Sequence, residues 1–233
     1  MKKTIFPWLG REFVSLSCEG NSVGTATEET QDIFRRFEEE LKGEGLTLEN
    51  TVRTRLWAVD RESRNLGSDQ RVKILSGSAR SASSSYIAPG YFESGGRVSV
   101  DLIAMRSSEP DLQKSLKEYE PPITPLRYLT YDSVVLLSGV TSEIPGLREQ
   151  LGDILPRIEG SLTDAGSSWE NAVKISFYLH RSQKHEALKE IFEIFEETVK
   201  TAIPEVEYSY VDGYSSPGKL VEIEVTARLI LAA

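Results

Sequence analysis

The chain has 233 residues, 39% of them apolar and 27% charged, with a formal net charge of -9. That length holds two domains of ordinary size, and the acidic balance speaks against a nucleic-acid backbone or an anionic membrane surface as partner. The single cysteine, Cys18, excludes an intrachain disulfide and a cysteine-built zinc site.

Residues 1–10 carry two lysines and a short apolar stretch broken by Pro7, which does not read as a secretory signal. No apolar run approaches the roughly 18 residues that span a bilayer, so the expected location is cytoplasmic. Glu12 to Ser17 is rich in β-formers and predicts a strand. Ile33, Phe34, Phe37 and Leu41 form one helical stripe, with Gly43 and Gly45 as stops. Val52 to Val59 predicts a second strand, Arg61 to Gly77 only a short, weak helix, and Arg97 to Met105 an alternating closing strand. A connector follows around Ser107 to Pro125, in which KSLKEYE reads as a short helix. Then come a strand over Ser133 to Ser138 and a helix with Leu147, Leu151, Ile154, Leu155, Ile158 and Leu162 on one face. Val173 to Leu179 predicts a strand, and Leu188, Ile191, Phe192, Phe195 and Val199 a second helical stripe ahead of Pro204. Leu220 to Ile230 alternates as a last strand.

The two series repeat. At an offset of 121, GLTLENTVRTRLWAV from Gly45 falls on GSSWENAVKISFYLH from Gly166, and FVSLSC from Phe13 falls on VVLLSG from Val134. Ile33, Phe37 and Leu41 land on Ile154, Ile158 and Leu162. A gapless offset that keeps apolar register through strand, helix and strand indicates a duplication. The expected fold is α+β: two tandem units, each a mixed β-sheet backed by two helices. The units span 1–110 and 127–233, with a linker over 111–126.

Leu137-Ser138-Gly139, the stretch Gly166 to Lys174 and Leu220-Val221-Glu222-Ile223-Glu224 resemble, in this order, motifs of the reactive intermediate deaminase (Rid, YjgF-like) family; Ala79-Arg80-Ser81 and Arg97 to Asp101 resemble them in the first unit. The resemblance implies a chorismate-mutase-like fold, a homo-oligomer with a trimer favoured, and sites in clefts between units. It implies an enzyme that hydrolyses a small carboxylated imine or enamine to a 2-oxo acid and ammonia, with no metal and no organic cofactor. Carried over residue by residue, Arg80 grips the substrate carboxylate. The turn Ser138-Gly139, or Ser17-Cys18 in the first unit, offers backbone N–H groups. Glu222 positions or activates the attacking water. Counted back from Leu220, Glu207 falls at the place of Arg80, and Ser99 at the place of Glu222. Each unit therefore lacks part of the set, and the complementary losses suggest one composite site built from Arg80 and Glu222.

Two other readings stay open. Chorismatase-like enzymes also resemble this fold and act on carboxylated enol ethers, although they are typically longer than this chain. A non-catalytic ligand-binding or accessory subunit also fits a divided constellation. The ribonuclease activity ascribed to some Rid members conflicts with the charge. His180 and His185 are not spaced as a metal pair on one helix face, Cys18 has no histidine nearby in sequence, and SARSASSSY lacks a Gly-x-Ser-x-Gly frame.

Overall fold

A computed structural model describes residues 1–183, 185–201 and 205–230. The front half comprises β1 (Lys2–Trp8), β2 (Arg11–Glu19), α1 (Ala26–Gly43), β3 (Thr51–Ala58), α2 (Arg61–Ile74), β4 (Ala82–Ile87) and β5 (Val98–Arg106). A short β6 (Ser115–Lys117) lies in the connector. The back half comprises β7 (Tyr128–Tyr131), β8 (Val134–Leu137), β9 (Val140–Thr141), α3 (Leu147–Asp164), β10 (Ala172–His180), α4 (Glu186–Val199), β11 (Glu205–Val211) and β12 (Val221–Arg228). The sheets run β1-β2-β5-β3-β4 and β11-β10-β12-β8-β7-β6, with β9 beside β12. Among the described residues only β3–β4 and β10–β11 are parallel pairs, the two that a crossover helix connects.

The duplication is structural. The helices α1 and α3 both have 18 residues and start 121 positions apart, as do β3 and β10. Each half packs its helices on one sheet face. Ile33, Phe34, Phe37 and Leu41 of α1 meet Val14, Leu16 and Leu56; Ile154, Leu155 and Ile158 of α3 meet Ile175, Phe177 and Ile223. Thr25 and Glu28 close a capping box that starts α1.

Two expectations need correction, and one strand was not foreseen. Arg61 to Gly77 is not a weak helix: α2 has 14 residues, the same as α4. Asp60 caps it, accepting from the Ser63 N–H at 2.7 Å. Its buried face holds Ser63, Gly67, Ser68, Gln70 and Arg71, so it carries almost no apolar stripe to detect. Gly67 permits the close seat, because a Cβ there would stand 2.9 Å from the Leu56 side chain. The segment KSLKEYE contains strand β6, pairing with β7, instead of a helix. An unforeseen strand, β1, pairs along its whole length with β2; its mostly exposed side chains hide the period-two signal.

The halves meet through the sheet faces turned away from the helices. At one end Phe13, Met105, Leu129, Tyr131, Val134 and Leu136 form a shared core. At the other, Trp57, Tyr86, Tyr178 and Tyr214 cluster, with the Tyr86 and Tyr178 rings stacked at 4.3 Å. Arg11 forks onto Asp132, one repeat away, with two hydrogen bonds of 2.7 Å.

Candidate active site between the two halves

Strand β12 decides what faces the junction. Val221, Ile223 and Val225 alternate into the helix-backed core, which turns Glu222, Glu224 and Thr226 toward the front half. All three are buried. Two cavities flank this row.

The first, of about 410 Å³, is lined from both halves. The back half supplies Gly139, Thr141, Arg157, Lys219 and Glu222; the front half supplies Arg64 and Arg71 from α2 and Ser83, Ser84 and Ser85 from β4; the connector adds Tyr119, Thr124 and Pro125. Burial, reinforced by the neighbouring Glu224, pushes the Glu222 carboxyl up to about 7, with Ser84, Tyr86 and Lys219 opposing the rise. A carboxyl at that value both gives and takes a proton near neutral pH.

Arg71 donates to the Ser84 carbonyl at 2.7 Å, to Ser85 Oγ at 2.8 Å and to Ser68 Oγ at 3.3 Å, all of them neutral acceptors. Burial, together with the nearby Arg64, brings its pKa down to about 10. Arg64 is also lowered, chiefly by burial, and its Nε is buried without a hydrogen-bond partner. Among the described residues neither guanidinium lies in an ion pair with a carboxylate. Lys219 donates to Ser215 Oγ at 2.6 Å and stands 4.0 Å from Glu143, and burial lowers its pKa. Arg157 pairs with Asp153 at 3.0 Å. The cavity thus has more cations than anions, and two of its guanidinia are desolvated without a counter-ion. That arrangement suits a ligand carboxylate, which a planar guanidinium accepts through two parallel hydrogen bonds.

The expected site residues divide. Gly139 lines the cavity, and a Cβ there would stand 2.0 Å from Glu222 Oε1 and 2.6 Å from Ser84 Oγ, so glycine lets the carboxylate approach. Ser138 is fully buried; its hydroxyl accepts from the Ser83 N–H at 3.1 Å and joins the halves. These two residues interrupt the strand between β8 and β9, whereas β2 runs unbroken through Ser17 and Cys18. Cys18 therefore points into the front core with Val14 and Leu16, and neither Ser17 nor Cys18 lines this cavity.

Arg80 does not line it either. Arg80 pairs with Glu118 of the connector, beside an adjoining cavity of about 230 Å³ whose wall shares Arg71 and Ser83 with the first. A cavity lined by front-half guanidinia and a back-half carboxylate is present, and those guanidinia come from α2. The pairing of Glu207 with Arg80 also shifts. Arg53 pairs with Ala82 and its repeat-mate Lys174 with Glu205, so Glu207 corresponds to Ser84, while the counterpart of Arg80 lies outside the described residues. Glu207 binds Lys174 at 2.7 Å. Arg64, Ser68 and Arg71 were missed, although their i, i+4, i+7 spacing places them on one helix face. A polar stripe at helical spacing was the available signal.

The second cavity, of about 300 Å³, has an aromatic wall of Phe6, Trp8 and Phe13 facing Arg53, Arg55 and Lys174. Here each cation is answered: Arg53 and Arg55 by Glu224 at 2.8 and 2.7 Å, Lys174 by Glu205 at 3.1 Å. Among the described residues no group of three or more His, Cys, Asp or Glu side chains is placed to hold a metal, and no helix is long and apolar enough to cross a membrane.

No protein-family model and no curated protein matches the chain. Solved structures do. A chorismatase is similar at 13% identity over 96% of this chain and 78% of its own, with a TM-score of 0.67, which shows a common fold across both halves. Proteins of about half the length are similar to half of the chain. A YjgF/YER057c/UK114 family member from Mycobacterium tuberculosis has 23% identity over 50% of this chain and all of its own, with a TM-score of 0.45. A Rid-family protein from Yersinia pestis has 22% identity over 50% of this chain and 99% of its own, also at 0.45.

Proposed function

We propose that the cavity between the halves binds a small carboxylated enamine or imine and hydrolyses it to a 2-oxo acid and ammonia, with Glu222 moving the protons. The observation that carries this reading is the buried Glu222 carboxyl, poised at about 7, in a cavity with one buried and one part-buried guanidinium, neither of them in an ion pair among the described residues. Arg71, with Arg64, takes the substrate carboxylate. Glu222 gives its proton to the β-carbon of the enamine, and the C=C bond becomes a C–H bond and an iminium. As water oxygen bonds to the iminium carbon, the Glu222 carboxylate takes the water's proton and is restored. A proton then passes from the new hydroxyl to nitrogen, the C–N bond breaks, and ammonia leaves the 2-oxo acid. A substrate that arrives as the iminium enters at the water-addition step, which calls for ionised Glu222.

The chorismatase-like fold of the whole chain favours a second reading, in which oxygen replaces nitrogen: a carboxylated enol ether is protonated on carbon, and water displaces the alcohol. Both readings use the same cavity and the same acid. The experiment supplies imino acids generated in place by an amino-acid oxidase, and separately chorismate, to wild type, Glu222→Gln and Arg71→Met. Ammonia release above background that disappears in both variants supports deamination; loss of chorismate on the same pattern supports the enol-ether reading. Turnover equal to background with both, and no binding of 2-oxobutyrate that depends on Arg71, leaves neither standing.

A further inference from the structure

The two carboxylates of β12 lie two residues apart on one face, about 6.6 Å along the strand. Their surroundings differ. Glu224 is held by Arg53 Nη1 at 2.8 Å and by Arg55 Nη2 at 2.7 Å and Nε at 3.0 Å, and Ser84 Oγ donates to it at 2.7 Å. Both arginines belong to β3 of the front half, so the clamp exists only when the halves dock. Among the described residues no ion pair reaches Glu222. A carboxylate under two guanidinia and a hydroxyl stays ionised, and a second buried carboxyl one pleat away meets a fixed negative charge in surroundings that screen it poorly.

Resting on the acid–base role of Glu222 proposed above, we infer that Glu224 is a positioning residue: clamped as an anion by Arg53 and Arg55, it keeps the proton on Glu222 so that the resting site begins its cycle as an acid. The other groups around Glu222 act differently. Lys219 just before the strand, Arg64 and Arg71 on α2, and Arg157 on α3 all favour the ionised form. Asp153 on α3 and Glu143 beyond β9 are part-exposed or exposed and lie near Arg157 and Lys219. Tyr86, Tyr119 and Tyr214 are neutral phenols, each raised first by burial. Glu224 is the fixed buried anion that works toward protonation.

The test titrates the Glu222 carboxyl in the full chain by infrared difference spectroscopy, taking as its signal the C=O stretch that Glu222→Gln abolishes. In Glu224→Gln the midpoint falls by about 1 pH unit or more toward the usual carboxylate range. Because Glu224→Gln leaves two buried guanidinia without an anion, Glu224→Gln/Arg55→Gln is measured beside it. This variant removes one anion and one cation, so it shows a shift in the same downward direction, smaller by the part that Arg55 contributes toward the ionised form. An unchanged midpoint in either folded variant overturns the inference. The proposed reaction fails separately, if Glu222→Gln keeps full turnover while the titration shifts as stated.

Discussion

The two cavities beside β12 are built from similar parts and put to different ends. Each is walled by both halves, and each presents cationic side chains to buried glutamates. On the aromatic side, Arg53, Arg55 and Lys174 all lie in ion pairs with Glu224 or Glu205. On the serine side, among the described residues, Arg64 and Arg71 find only hydroxyls, a carbonyl and a neighbouring amide, and Glu222 has no ion-pair partner. A closed ion network holds the halves together; an open one leaves charge for a ligand. The distinction lies in partners, since residue types alone do not separate the two.

The sharpest way to break the contrast is Glu222→Gln. It removes the proton carrier and keeps the shape; turnover is expected to fall by about 10²–10⁴ while the melting temperature holds or rises. Wild type has a pH signature that this variant loses. Glu222 is raised in the folded state, so its contribution to stability is present below the ordinary carboxylate range and disappears as pH rises through about 7. Glu224 runs the other way, held at about 2 by Arg53 and Arg55 against burial, so its contribution is present at neutral pH and is lost as pH falls. Denaturant titrations of wild type and Glu222→Gln across pH 2 to 8 read both signs.

Next in size, Arg53→Met on the aromatic side leaves part of the Glu224 charge uncompensated, and urea unfolding is expected to show a loss of about 3 kcal/mol. The matching change on the serine side, Arg71→Met, removes a buried cation with no counter-ion. It is expected to cost less than Arg53→Met, about 1–2 kcal/mol for the buried acceptors on Ser84 and Ser85 that lose their donor, and to weaken 2-oxobutyrate binding by about 10- to 100-fold, read by calorimetry. If Arg71→Met destabilises as strongly as Arg53→Met, the distinction between closed and open networks is lost. Gly139→Ala sharpens it further: the new methyl presses on Glu222 and Ser84, at about 1–3 kcal/mol of stability and with a moved pH profile. Smallest is Arg80→Ala, which breaks a part-exposed pair with Glu118; less than about 1 kcal/mol is expected, with the serine-side chemistry retained.

Much of the fold was legible because it rests on local pattern. The 121-residue repeat, the stripes of α1, α3 and α4, and the alternation of β12 are all written in side-chain spacing. The strand β1 and the helix α2 were not, since one turns its side chains mostly to solvent and the other buries serines and an arginine where a periodicity search seeks leucine. The site was half legible. Glu222 and Gly139 were singled out through their motifs, whereas Arg64 and Arg71 carry only a polar stripe at helical spacing and Lys219 carries no local mark that sets it apart from a surface cation.

By itself the order of residues determined that there are two like halves and that Glu222 and Glu224 share one strand face; front-half arginines facing those acids were an expectation. Only the docking of the two sheets decided which arginines those are. Whether a guanidinium neutralises Glu224 or is left facing a cavity depends on the distance across the junction between β3, α2 and β12. Coulomb energy follows separation and solvent exposure, and both are properties of the packed chain.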